Sequence, residues 1–525
     1  MDPSVAQAPD PLASQSPARK NILLLLFCVA QFLDVFSTSS LFSAIPAISN
    51  AVGLNNSQSV WLNSAYQLTF ASFLLVSGRM ADIYNPKYIF LAGAGPLGAF
   101  ALGAGFVRNK VAIIILRALS GCAASLTIPS SLRLLVHMFP DPADQARAVS
   151  FFALSGAIGN VLGVVIGALF VSFASWPWVF WFISIMAFLV FFSCAVLIPQ
   201  LPRQTGKGTA RNLDAIGVST LTLSVLLFIF ALTSGSVDGW GKAEVIVTLV
   251  LAVILFVAFF IWEARIPEDK AALPPKMWFY PNFGLLIAIA LIPYTWWSSV
   301  YLLFAWLWQE VYGWSAIISG LHFLPIGLFV FPTMGIVGGF QQKVKPNLLL
   351  LGALILMFIG TILLPFADRP SRYFPLVFPA FCIGTAGTII TFTTVNIALF
   401  AVTPPHLAGT VGAIFNCALQ LSTAVGSAAI TSIQTSVQES HGGPTGYQGR
   451  AAGFWFLTAC VAIETVALVV FWKNPPQAVS KEPEEKTDGT VDQVNDGAEK
   501  KAVEAEGGST PSGSDSRSVN NNGRA

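Results

Sequence analysis

Fourteen separate apolar stretches run between Asn21 and Trp472. Each is about 18–25 residues long, and a helix needs roughly 20 apolar residues to cross the hydrocarbon layer of a bilayer. The composition points the same way, with 54% hydrophobic and 10% charged residues. A soluble domain carries about 25% charged residues, so this chain lacks the polar surface to stay in water. The expected fold is an all-α polytopic membrane protein. Between charged or Pro/Gly-rich breaks, the spacing predicts helices at 21–45, 59–79, 88–107, 111–137, 148–173 and 177–199, then at 213–233 and 244–263. Six more follow at 281–308, 315–340, 347–366, 373–400, 408–434 and 453–472.

Lysine and arginine gather in cytoplasmic loops, so their distribution orients the chain. Alternate loops hold Arg79 and Lys87, then Arg147, then Arg203, Lys207 and Arg211, then Arg265, Lys270 and Lys276, then Lys343 and Lys345. Arg19, Lys20 and Lys473 flank the set. The intervening loops hold fewer, with Arg108, Lys110, Lys242, Arg369, Arg372 and Arg450. The richer set is expected inside, which makes both termini cytoplasmic and the number of spans even. The plasma membrane is the default location. Asn55-Asn56-Ser57 is an N-glycosylation sequon in the first expected outer loop, with Asn55 as acceptor. Residues 1–20, rich in Pro, Ala and Ser, and residues 475–525, rich in Glu, Lys, Asp, Gly and Ser, cannot bury apolar area and are expected to be disordered.

Several functions are excluded at this level. The six cysteines all sit in apolar stretches with no CxxC pair, and the four histidines are scattered, so neither set reads as metal ligands. No phosphate-binding glycine loop or nucleophile elbow is present, and no soluble domain is large enough to hydrolyse ATP. The chain is therefore not read as an enzyme, and no cofactor or metal is expected. A net charge of +2 gives no basis for a nucleic-acid partner. The expected partners are a small-molecule substrate, protons and the lipid bilayer, with the chain acting as a monomer. Work on a solute has to draw on a gradient.

Charges within the apolar stretches are the next clue, since each costs a few kcal/mol at the bilayer centre unless paired or wet. Asp34 falls mid-way along the first stretch, Arg117 and Arg133 in the fourth, and Glu464 in the last. Two readings of Asp34 stand side by side: a proton-exchanging carboxylate facing a water-filled cavity, or a packing group that caps a helix or pairs with an arginine. Arg117 would hold an anion or tune a nearby carboxylate. The fifth stretch carries Gly156, Gly159, Gly163 and Gly167, a bare stripe that lets two helices approach closely in lipid, either as a moving joint or as a fixed seam. Gln67, Tyr294, Trp296, Trp297, Tyr301, Asn396, Asn416 and Gln420 are candidates for a substrate cavity suited to flat, apolar or weakly polar molecules. Their aromatic members fit interface anchors equally well.

These residues resemble the major facilitator superfamily. The stripe is similar to its antiporter motif on helix five: Gly159 and Gly163 match, Ser155 stands for the first small residue, and Asn160 and Val164 replace Pro and the last Gly. Gly78-Arg-Met-Ala-Asp82-Ile-Tyr-Asn85-Pro86-Lys87 resembles the cytoplasmic motif between helices two and three, matching at Gly78, Ala81, Asp82 and Lys87. Leu116-Arg117-Ala-Leu-Ser-Gly121 resembles the fourth-helix motif. Leu33-Asp34 with Pro46, and Gln309-Glu310-Val-Tyr-Gly313-Trp-Ser315 with Gly320 to Gly327, are similar to the fourteen-helix drug:proton antiporter branch. The wording at 65–73, 84–87 and 174–181 is similar to the fungal aminotriazole-resistance-like exporters within it.

The resemblance covers about 21–475 and implies two six-helix bundles, 21–200 and 281–472, with an extra helix pair over 213–263. It implies proton-coupled efflux of a drug or fungal secondary metabolite by alternating access. Asp34 and Arg117 would then serve proton coupling, and Gly78, Asp82 and Lys87 would latch the cytoplasmic side. The same resemblance permits a transporter of a small polar solute such as ammonium or borate. A sugar importer fits less well, because Leu197-Ile-Pro-Gln-Leu-Pro-Arg203 lacks the sugar-porter signature. A sensor signalling through residues 477–525 is the reading from another class.

Overall fold

The structure is a computed structural model that describes residues 11–200, 214–266, 275–340, 343–403, 408–441 and 443–473. The basic residues Arg203, Lys207, Arg211 and Lys270, and the expected disordered tail 475–525, lie outside the described residues. Among the described residues there are helices and turns only. Fourteen helical segments follow one another in the first half as α1 (Pro17–Val52), α2 (Trp61–Ile83), α3 (Pro86–Phe106), α4 (Lys110–Met138), α5 (Pro142–Phe173) and α6 (Pro177–Leu197). The pair α7 (Ala215–Asp238) and α8 (Ala243–Glu263) comes next. The second half holds α9 (Phe283–Val311), α10 (Ala316–His322 continued by Leu324–Phe340), α11 (Pro346–Ile362), α12 (Phe378–Ala401), α13 (Ala408–Ser440) and α14 (Gln448–Phe471). Thirteen of these are long and apolar enough to cross a membrane. The remaining one, α2, has 23 residues, about 34 Å at 1.5 Å per residue. The chain is a multi-pass membrane protein.

Local sequence explains where the helices begin and end. Proline occupies the first positions of α1, α3, α6 and α11, where its missing N–H is not needed. Asn109 caps α4 by accepting from the backbone N–H of Val111 at 2.9 Å and Ala112 at 3.2 Å. Asp214 caps α7 through the N–H of Gly217 at 2.9 Å. Gly53, with φ +73°, closes α1 in the left-handed conformation that a side chain would resist. Residues 11–20, expected to be unstructured, instead form a turn and the first turn of α1, because Leu12 buries its side chain to 1% exposure beside Leu23 and Phe27.

Helices α1–α6 pack on one another, as do α9–α14. Both chain ends of this assembly lie on one face, here the terminal face. On that face the apolar core is divided. Leu23, Phe27, Phe90, Leu134 and Phe152 cluster in the first half, while Phe283, Leu354, Val395 and Phe415 cluster separately in the second. On the opposite face a single core unites the halves, with Phe36, Leu41 and Ile48 of α1 packed in one cluster with Tyr301, Phe304, Phe323 and Phe454. The halves thus share a broad core on one side, and on the other meet chiefly where α2 lies against α13, as at Ala71 and Cys417. Helix α7 packs against both α2 and α13, with Leu68, Ala71, Ile229 and Ala424 sharing a small core along that seam. Trp61 meets Phe230 at 5.7 Å, and Trp240 Nε1 donates to Ser432 Oγ at 2.6 Å. Helix α8 faces outward and is mostly exposed.

Candidate functional site

Asp34 sits on α1 between the terminal-face cluster, which ends at Ala30, and the shared core, which begins at Phe36. It is therefore at the level where the halves part. Its exposure is 5%, and that of Arg117 is 2%. The hydroxyl of Tyr66, on α2, donates to Asp34 Oδ1. The guanidinium of Arg117, on α4, lies 4.4 Å from the centre of the same Tyr66 ring, a cation–π geometry. Arg117 spends its donors elsewhere: Nε to the Leu62 carbonyl at 2.8 Å, Nη1 to Ser37 Oγ at 2.6 Å and Nη2 toward Asn63 Oδ1 at 3.5 Å. Among the described residues it forms no ion pair. The buried acid and base are joined through a tyrosine.

The glycine stripe of α5 lies against α1. A Cβ on Gly156 would stand 2.9 Å from Gln31 Nε2, and one on Gly159 would stand 2.7 Å from the Phe32 carbonyl oxygen. Cβ atoms on Gly163 and Gly167 would meet Ser39 and Ser40. Two serines of α1 then bond to α5 carbonyls, Ser39 to Gly159 at 3.0 Å and Ser43 to Val164 at 2.8 Å. The stripe faces a neighbour within its own half.

The cavity candidates separate into distinct environments. Tyr294 and Trp297 meet at 5.6 Å, and Tyr294 stacks on Phe392 at 6.1 Å, making an aromatic wall in the second half. Trp297 Nε1 is buried without a hydrogen-bond partner. Asn396 and Gln420 are half-buried on α12 and α13, and Asn416 is exposed, bonded to the Gly412 carbonyl at 3.0 Å. Gln67 lines a small crevice between the halves with Asn63, Leu302, Thr423 and Ser427.

Two aromatic candidates lie elsewhere. Trp296 is fully buried within its own half, donating to Thr361 Oγ1 at 2.9 Å and packing over Gly384. Tyr301 belongs to the united core, where it stacks on Phe42 at 5.1 Å and donates to Asn160 Oδ1 at 3.3 Å. At a hundred degrees per residue Trp296 points away from the face shared by Tyr294, Trp297 and Tyr301, and Tyr301 lies about 10 Å further along that face from Tyr294, in the united core.

Lys87 Nζ donates to the Ile198 carbonyl at 2.5 Å, and Arg19 reaches the Leu197 carbonyl with contacts of 2.9 and 2.6 Å. Both cations therefore meet the negative end of α6. Gly78 has open space where a Cβ would sit, and the side chain of Asp82 lies outside the described residues. Asn55 is exposed between α1 and α2, and its Oδ1 accepts from the Gln58 N–H at 2.7 Å. Glu464 Oε2 is buried on α14 without a hydrogen-bond partner.

Tyr66, Ser37 and Asn63 were not among the residues singled out from sequence. Tyr66 carried a usable signal: tyrosine in mid-membrane, away from both interfaces, needs a partner for its hydroxyl.

Two helical halves packed around a buried carboxylate, with their broadest shared core on one face, are the architecture of a membrane transporter. Residues 27–427 match the Major Facilitator Superfamily profile, and the chain belongs to that superfamily. It is a transporter of small molecules and not an enzyme. The chain is 26% identical to a multidrug transporter of this superfamily from Aspergillus fumigatus, over 89% of this chain and 90% of that one. It is 26% identical to a puromycin resistance protein of Streptomyces alboniger, over 84% and 86% of the two chains. A low affinity ammonium transporter of Saccharomyces cerevisiae is 24% identical over 80% and 82%. Among solved structures, a peptide-transporter-family protein in complex with 5-aminolevulinic acid superposes with a TM-score of 0.63 at 14% identity, covering 86% of this chain and 96% of that one. A D-xylose–proton symporter gives 0.60 at 13% identity, covering 86% and 97%.

Proposed function

We propose that this protein is a proton-driven exporter of small organic compounds, drugs or secondary metabolites, working by alternating access in the plasma membrane. The observation that carries the reading is the Asp34–Tyr66–Arg117 linkage at the level where the halves part. A buried carboxylate held by one hydroxyl, with its nearest cation a ring away, can take up and lose a proton without an arginine clamped directly onto it. Tyr66 conveys the change of charge to Arg117, and from there to Ser37, Asn63 and the Leu62 carbonyl. Proton binding is thereby tied to the packing of α1, α2 and α4.

With both termini cytoplasmic, the divided face opens to the cytoplasm. The Tyr294–Trp297–Phe392 wall and the amides Asn396, Asn416 and Gln420 are then where cargo enters from inside. Flat, weakly polar molecules suit such a wall, which offers ring faces and a free indole N–H. Names of relatives support export: a multidrug transporter and a resistance protein. Lys87 and Arg19, by fixing the end of α6, hold the cytoplasmic end of the first half in shape, and Gly78 and Asp82 belong to the same gating turn.

The deciding experiment uses full-length protein in liposomes. A pH gradient should drive uptake of a panel of aromatic compounds in the wild type, and Asp34→Asn should abolish it with normal insertion. Gradient-driven transport at wild-type rate in Asp34→Asn would reject the assignment. The ammonium transporter among the relatives favours one second reading. In that case ammonium, and none of the aromatic panel, would move in the same assay.

A further inference from the structure

Asn160 occupies the position at which the superfamily's helix-five motif carries proline, and in this chain it reaches across to the other half. Tyr301 Oη donates to Asn160 Oδ1 at 3.3 Å. A proline there offers no side-chain acceptor, so the bond exists because of the departure from the motif. Its surroundings are built for it. Tyr301 is 2% exposed and is fixed by stacking on Phe42 at 5.1 Å and by the edge of Phe323 at 5.0 Å. Beside Asn160, Val161 fills the space over Gly327 of α10, and Gly320 receives Ala168. Other cross-links on this face include Asn50 Nδ2 to Glu310 Oε1 at 3.2 Å and the Ile317 N–H to Ser172 Oγ at 3.0 Å, both exposed, and Gln309 Nε2 to the Ser43 carbonyl at 3.3 Å, half-buried like the Asn160–Tyr301 pair. The Asn160–Tyr301 bond is half-buried, with the tyrosine packed among apolar side chains and the asparagine only partly covered.

We propose that Asn160 and Tyr301 form a latch between the halves on the face remote from the chain ends, so that residue 160 sets how readily that face opens. Tyr301 then serves closure and not cargo. The inference rests on the alternating-access reading above, because a latch has meaning only where the face opens.

The test is a double-mutant cycle on full-length protein in lipid nanodiscs, with Ser43→Cys as reporter. Ser43 is 1% exposed in the seam between α1, α5 and α10, so a water-soluble maleimide reaches a cysteine there when the face opens. The rate is read as the increment over the same protein without that cysteine, since six native cysteines remain. Asn160→Ala, Asn160→Pro and Tyr301→Phe should each raise the labelling rate by about threefold to tenfold, the range of a hydrogen bond between helices in lipid. Asn160→Ala with Tyr301→Phe should match the larger single effect. Unchanged rates in the single variants, or single effects that multiply in the double, would overturn the latch. Tyr301→Phe keeps the stacked ring, so the cycle does not depend on a variant that fails to fold. The readout needs neither cargo nor a pH gradient, so failure of proton-driven export shows in the liposome assay and leaves this measurement standing.

Discussion

Arg117 lies 4.4 Å above the ring of Tyr66 and meets Asp34 only through it, because the Tyr66 hydroxyl is the group bonded to the carboxylate. The base therefore responds to the acid at one remove. The hydrogen bonds of Arg117 go to Leu62 and Ser37, so the phenol is the group that stands between them and the carboxylate.

Tyr66→Phe separates the two jobs of that ring. The ring stays under the guanidinium while the bond to Asp34 is lost. Proton-driven transport should fall by about tenfold to a hundredfold, the size of a lost bond to a charged group, with thermal stability nearly unchanged. Transport at the wild-type rate would remove Tyr66 from the coupling path.

Arg117→Lys should act on the fold. An ammonium cannot bond Leu62, Ser37 and Asn63 together in the fork that a guanidinium provides. The expected loss is about 2–4 kcal/mol, from two or three buried acceptors left without a donor. A lower melting temperature of the purified protein in detergent checks this, and an unshifted melt would contradict it.

Glycines in apolar helices differ in the space around them. Gly163→Leu would force α5 away from Ser39 and Ser40 of α1, whereas Gly335 has open space around the position of a Cβ. Gly163→Leu should therefore yield little folded protein, and Gly335→Leu should insert normally and transport at near wild-type rate. Quantifying monodisperse protein by size-exclusion chromatography distinguishes them.

Trp297 offers a ring and an unbonded N–H on the aromatic wall. Trp297→Phe should raise KM by about tenfold for cargo that accepts a hydrogen bond and leave purely apolar cargo nearly unaffected. Trp297→Ala should raise both. Equal KM values for the two cargo classes in Trp297→Phe would show that the N–H does not meet cargo.

Much of the architecture was legible because lipid imposes a simple rule on length and polarity. Helices α1 through α14 fall on the expected stretches, and the glycine spacing of α5 announced a close helix contact. Which helix lies against that stripe was not legible, since periodicity marks a face and not its neighbour. The same limit explains Trp296 and Tyr301. Both stand in one aromatic run and in the shared core, but Trp296 turns to Thr361 and Gly384 of its own half while Tyr301 meets Phe42 and Asn160 of the other, as only the packing of α9 decides. Asp34 and Arg117 stood out as charges in oil, whereas the signal of Tyr66, a hydroxyl in need of a partner within the membrane, is fainter because a phenol costs far less there than a charge.

Helix α7 is wedged along the line where α2 and α13 meet. A molecule dissolved in the surrounding lipid therefore finds no slot between α2 and α13 through which to slip sideways toward Asp34. It has to push α7 aside, pass another flank, or come by way of water, so α7 closes this flank against entry from the lipid.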